Sequence, residues 1–309
     1  IMEPLKGGGL IFADYPEVRE IMNIFEKANC KVAIVFGNHD DDRTTATKEL
    51  EMEVYESYSC FAGCAGEDLS GCGTYNIPIL SSDGSHYAFN LWFTDSGSYN
   101  DENDLGGYGC PHKDQIEWYI NKSNELKELN GGRVVPSINF QHIVVPEIYE
   151  TLRVVDAGTP GALESGGVYY ALPEDAKGVM HEMPSPPHYS NGQFDAFLQQ
   201  GDVLATVCGH DHINTYEVMY KGINIINTPG VGFCSYDDEN VGARVFILDE
   251  NAPEDYETYC IFYTELFKDN TAMMYKYKAF SETSTAFERV FYWFRYLAES
   301  VKNILMFRK

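Results

Sequence analysis

No continuous apolar run in this chain is long enough to cross a bilayer, and the opening residues carry no secretory-leader pattern, so no transmembrane segment is expected. Basic residues are scarce, with 22 Lys and Arg against 47 Asp and Glu and a net charge of -25. A polyanion would be repelled except at a local cationic centre such as a bound metal, so no nucleic-acid partner is expected. The eight cysteines are too few, in 309 residues, for a small disulfide framework. Cys30 and Cys208 sit in or beside apolar runs and read as small hydrophobes. Cys60, Cys64, Cys72 and Cys110 lie in loop-like sequence, where free thiols or disulfides outrank a zinc site. What is present is 44% hydrophobic and 14% aromatic content, enough for one substantial core or two domains.

The chemistry concentrates where apolar runs stop. Val32, Ala33, Ile34, Val35 and Phe36 read as a buried strand ending at Gly37, with Asn38, His39 and Asp40 directly behind it. Val203 to Cys208 repeats the layout, ending at Gly209 with His210, Asp211 and His212. In extended backbone residues two apart share a face, so His210 and His212 can serve neighbouring metals. A third apolar strand, from Ile138, ends at His142. Loops beyond the carboxyl ends of strands are where ligands bind in open α/β sheets.

The order G-N-H-D, strand-end His, G-H-x-H resembles the calcineurin-like metallophosphoesterase family. Within it the chain is most similar to the purple-acid-phosphatase-like branch, through Asp114 to Tyr119, Phe140 to Glu147 and Phe194 to His212. The resemblance implies an α/β fold, a sandwich of two mixed β-sheets flanked by helices. It implies phosphoester hydrolysis at a binuclear centre of Fe, Zn or Mn ions. Asn38, His142 and His210 would hold one ion and His212 would help hold the other. His39 would face the leaving group, and Asp40 and Asp211 would orient imidazoles through hydrogen bonds. The expected substrate is a small phosphoester or a phosphoprotein. An inactive scaffold used for binding is the alternative.

The family's opening D-x-H and G-D motifs, which supply a ligand and a bridging carboxylate, do not occur before GNHD. The chain therefore reads as cut shortly after the bridging aspartate, with the first strands missing and one ion expected here instead of two. Asp14, followed by Pro16 and Glu17, reads as a helix N-cap in preference to a ligand.

The rest is expected as follows. Helices cover Val18–Ala28, Glu49–Tyr58, Asp114–Leu129 and Phe194–Gln200. Strands cover Thr74–Leu80, Tyr87–Thr94, Gly222–Val231 and Arg244–Asp249, with more between Tyr256 and Leu266. Asp95 and Ser96 line the site or merely make a turn. Val155 to Asn191 reads as a long loop system, in which His181 and His188 are read as exposed, lining the pocket or reaching a substrate being the alternative. Residues 1–250 form the metallophosphoesterase domain and 251–309 an extension. In that extension Phe287, Val290, Phe291, Phe294, Leu297, Val301 and Ile304 make a helical stripe. It is expected to dock on its own protein, a membrane-surface or partner-docking role being the alternative.

Overall fold

The apolar runs through Phe89, Ile138, Ala205 and Ile225 become neighbouring strands of one sheet. The computed structural model describes residues 3–4, 10–11, 15–40, 42, 47–99, 106–233, 240–268, 271–280 and 284–306. In chain order β1 (Glu3–Pro4) and β2 (Leu10–Ile11) form a short ladder, followed by α1 (Pro16–Ala28), α2 (Lys48–Glu56), β3 (Tyr75–Leu80), β4 (Tyr87–Phe93), α3 (Lys113–Leu129) and β5 (Ser137–Phe140). A 3-10 turn at Pro146–Glu150 leads to β6 (Arg153–Val155), β7 (Leu163–Ser165), β8 (Val168–Ala171), α4 (Gln193–Gln200), β9 (Val203–Cys208), β10 (Glu217–Tyr220) and β11 (Ile223–Asn227). Last come β12 (Gly242–Ile247), β13 (Glu257–Phe262), α5 (Tyr263–Leu266), α6 (Ala272–Phe280) and α7 (Ala286–Met306).

Among the described residues the main sheet runs β10-β11-β9-β5-β4-β3. Its four inner strands are mutually parallel, and the edges β10 and β3 are antiparallel. The α/β class with several sheets is therefore as expected. One face is covered by α3 and α4, where Trp92, Tyr119, Phe194 and Phe197 pack with Val203 and Ile225. On the other face Phe89, Ile138, Ala205, Val207 and Ile226 meet Phe246 and Tyr256, from and beside the antiparallel β12–β13 ladder. Ile138, Ala205, Ile225 and Ile226 have no exposed surface. Removing one such isoleucine down to Ala costs about 2–5 kcal/mol.

A buried polar hub ties the α3 face together. The Asp202 carboxylate accepts from Trp92 Nε1 at 3.1 Å, from Ser137 Oγ at 3.2 Å and from the Tyr119 hydroxyl. Burial raises its pKa.

Four readings need correction. Among the described residues the Lys31–Phe36 run makes a single bridge, Val32 to Phe61, and belongs to none of the sheets. Ile34 makes its backbone bonds to one side chain instead: its N–H donates to Tyr75 Oη at 2.9 Å, and that hydroxyl donates to the Ile34 carbonyl at 2.7 Å. Helix α1 starts at Pro16 with Tyr15, in the left-handed region, at its N-cap; Asp14 lies outside the described residues. The Val155–Asn191 loop system contains the three-stranded sheet β6-β8-β7. The outward stripe of α7 is exposed, not docked: Phe287 is 82% and Phe294 65% exposed. The side chain of Ile304 lies outside the described residues.

Candidate metal centre

All four parallel strands point their carboxyl ends the same way, so Asp95, His142, His210 and Thr228 follow strands at one edge of the sheet. The stop of each strand is enforced locally. Beyond β5, Gln141 donates to the Ile143 carbonyl at 2.7 Å and accepts from Asn139 and Gln193, while Ile143 N–H donates to Ser96 Oγ at 3.0 Å. The backbone N–H groups of Gly209 and His210 both donate to the His142 carbonyl, at 3.1 and 3.0 Å. The imidazoles of two strand ends are thereby fixed to one another.

Three of the four expected ligands meet. His142 Nε2 stands 2.9 Å from Asn38 Oδ1 and 3.1 Å from His210 Nδ1. Asn38 is 1% and His210 8% exposed. Asn38 Nδ2 donates to Tyr99 Oη at 3.1 Å, which leaves its carbonyl oxygen aimed at His142. Tyr108 holds the other side of His210, edge-on at 4.2 Å between ring centres. Gly37 eases this approach, because a Cβ there would press on the His142 ring at 3.0–3.2 Å. His212, half-buried, sits in the same loop, where its carbonyl accepts from Gly230 N–H at 2.8 Å.

Burial first, then the neighbouring histidines, pushes His142 down to about 3; burial and then His212 and His39 push His210 down to about 4. Both are neutral near pH 7, the form that ligates metal. A ring nitrogen offers one proton or one lone pair, so His142 Nε2 can meet Asn38 and His210 only by splitting a single proton between them. A cation accepting all three lone pairs removes that conflict. Adjacent donors on an ion with bonds of about 2.1 Å stand about 3 Å apart, the spacing found here. The donor set therefore fits one transition-metal ion. Among the described residues no three His, Cys, Asp or Glu side chains are grouped as a metal site; the third donor here is an amide.

The remaining expected site residues are placed differently. The His39 side chain is 71% exposed, with Nδ1 2.6 Å from Asp42 Oδ2. Asp40 Oδ2 accepts from Gly37 N–H at 2.5 Å and closes the turn. Asp211 is buried and bonds the Ser185 amide at 3.2 Å rather than an imidazole; burial, then Glu182, raises it to about 7.

Sequence reading missed the support. Glu182 accepts from Ile213 N–H at 3.1 Å, and Tyr99 and Tyr108, joined by a bridge, clamp Asn38 and His210. Their local sequence reads only as turn. Both readings of Asp95 hold: it lines a cleft while accepting from buried Lys48 at 3.2 Å, Cys72 N–H at 2.8 Å and Gly97 N–H at 3.0 Å. The cleft, of about 870 Å³, is lined among others by Lys48, Cys72, Tyr99, Cys110, His112 and Tyr189. The described cysteines are free thiols, Cys208 buried and Cys30 exposed.

No family model matches the chain. It is similar to three Arabidopsis thaliana proteins. Probable inactive purple acid phosphatase 29 is 24% identical over 70% of this chain and 55% of that protein. Probable inactive purple acid phosphatase 14 is 23% identical over 70% and 53%, and probable inactive purple acid phosphatase 28 is 23% identical over 74% and 56%. The chain spans about half the length of these relatives. A solved dimetal phosphatase from Danio rerio overlaps with a TM-score of 0.35 at 13% identity, over 69% of this chain and 76% of that one. The motif order and the sequence relatives support a likeness to the calcineurin-like metallophosphoesterases. The relatives it matches are purple-acid-phosphatase-like proteins.

Proposed function

We propose that this protein is a metal-dependent phosphoester hydrolase whose Asn38, His142 and His210 hold one Fe, Zn or Mn ion, with His212 serving a neighbouring one. The convergence of Asn38 Oδ1, His142 Nε2 and His210 Nδ1 beyond the parallel strands carries this reading. When bound, such ions polarise phosphoryl oxygens and lower the pKa of bound water. The chain's own residues do the rest. Tyr99 aims the Asn38 carbonyl, burial keeps both imidazoles neutral, and the Gly37 turn, closed by Asp40, admits the His142 ring. His39, exposed and oriented through Nδ1 by Asp42, would turn its Nε2 toward the leaving oxygen. The cleft beside Tyr99 has room for a small phosphoester or a phosphorylated side chain.

The test is turnover of an aryl phosphate monoester by the purified chain supplied with Zn, Mn or Fe. Metal-dependent turnover that falls about a hundredfold or more in His210→Ala is expected. A chain that binds metal and turns over no phosphoester rejects the hydrolase reading.

A second reading, a metal-binding scaffold without turnover, is favoured by the relatives' names and by the neutral donors. Two divalent ions without a carboxylate between them repel each other. It expects His39→Ala to leave the biological effect intact.

A further inference from the structure

The amphipathic helix α7 is mounted inside out. It begins with a capping box, in which Thr285 N–H donates to Glu288 Oε2 at 2.8 Å and Glu288 N–H to Thr285 Oγ1 at 3.3 Å. Its polar-aromatic face is the one that packs on α6. Tyr292 stacks on Tyr275, Lys278 lies over the Tyr292 ring, and Arg295 donates to Tyr275 Oη at 2.6 Å. Tyr292, Tyr296, Glu299 and Asn303 are accordingly half-buried. The opposite face carries Phe287, Val290, Phe291, Phe294, Leu297 and Val301, between 42% and 82% exposed, with Trp293 at its edge at 41%. An apolar stripe of this length turned to water marks a surface that something covers.

Charge says what covers it. Residues 271–309 hold seven Lys and Arg against three Asp and Glu, a net of +4, whereas residues 1–270 hold 15 against 44, a net of -29. Arg295 and Lys302 follow one border of the stripe and Arg289 lies toward the other, all three exposed. Aromatic side chains on the apolar face with basic ones along its edges match the interface of a bilayer with anionic headgroups. The acidic body is repelled from that same surface, so contact is confined to this end of the molecule. Pairing two copies would instead bring together two chains of charge -25. No described helix is long and apolar enough to cross a membrane, so α7 would lie in the interface. We propose that the α6–α7 pair is a peripheral membrane-docking element that seats its Phe287-to-Val301 stripe in an anionic phospholipid surface.

The experiment is co-sedimentation of the full chain with phosphatidylcholine vesicles containing about a third phosphatidylserine, and with pure phosphatidylcholine vesicles. Trp293 fluorescence is followed in parallel in a chain whose other tryptophans, Trp92 and Trp118, are retained as fixed reporters. Expected are partition to the anionic vesicles, weakening with salt, a blue shift, and loss of partition by about tenfold or more in Phe287→Ser/Phe291→Ser/Phe294→Ser. Those positions are exposed, and an unchanged circular dichroism spectrum shows that the variant is folded. A milder Phe291→Ser single variant, losing a smaller share of partition, serves should the triple variant not fold. Equal partition to both vesicle types, no partition, or partition indifferent to the substitutions overturns the proposal. So does a solution dimer that the same substitutions disperse.

Discussion

The sheet body and helix α7 turn opposite kinds of surface inward. In the body, Trp92, Ile138, Phe194 and Phe197 are packed away, and polar groups left inside such as Asp202 and Asn139 are hydrogen-bonded, with Tyr216 Oη and Asn90 Nδ2 as exceptions. In the helical pair α6 buries Met274 and Ala279 along with Tyr275 and Lys278, but the side of α7 turned to it is polar-aromatic and α7's apolar face looks outward. Hydrophobic periodicity defines a face; it does not say what meets that face. In the body the meeting surface is supplied by neighbouring strands, and at α7 the described residues supply none.

Substitutions separate the two regions by their effect on stability. Asp202→Ala strands the Tyr119 hydroxyl in the core and leaves the Trp92 indole N–H to Ser137 Oγ and the Ser137 hydroxyl to the residue 202 carbonyl, and should destabilise the fold by about 1–3 kcal/mol in urea titration. Ile138→Ala should cost about 2–5 kcal/mol by loss of a fully buried side chain. Phe294→Ser on the stripe should stay within about 0.5 kcal/mol of wild type. A large loss there would mean that the stripe is packed in solution, and the contrast would collapse.

The buried imidazoles set a pH dependence that the helical pair does not share. Their ordinary pKa is 6.5, and the fold holds His142 at about 3 and His210 at about 4. Between those values the unfolded chain binds more protons than the folded one. Their contribution to stability therefore rises with pH across that window and is lost as pH falls below about 6.5. Glu51 and Asp211, each raised to about 7 chiefly by burial, act in the opposite sense between their ordinary values and about 7. The informative comparison is thus His142→Asn against wild type at each pH. The variant should lose less stability than wild type on going from about pH 7 to about pH 4.5, and identical curves would remove the histidine from the account. A smaller effect is expected from Gly37→Ala, whose methyl would press on the His142 ring and should weaken metal affinity by about tenfold with little change in folding.

Much of this was legible in the chain itself. Strands β4, β5, β9 and β11 follow from apolar runs that end at Gly or at polar residues, and the histidines behind two of them, with Asn38, are the residues that meet. The Lys31–Phe36 run misled because an apolar run implies burial, not a ladder, and the Ile34 backbone is satisfied by the Tyr75 hydroxyl. The β6-β8-β7 sheet escaped because strands of three and four residues are too short to show a period. Tyr99, Tyr108 and Glu182 were invisible as site residues, since their roles arise from contacts distant in sequence.

The most direct test is metal content by elemental analysis of this chain, purified without chelator, beside His210→Ala. At least one transition-metal ion per wild-type chain, lost in the variant, is the result the account predicts. No bound ion in the wild type, or equal loading in the variant, would contradict it.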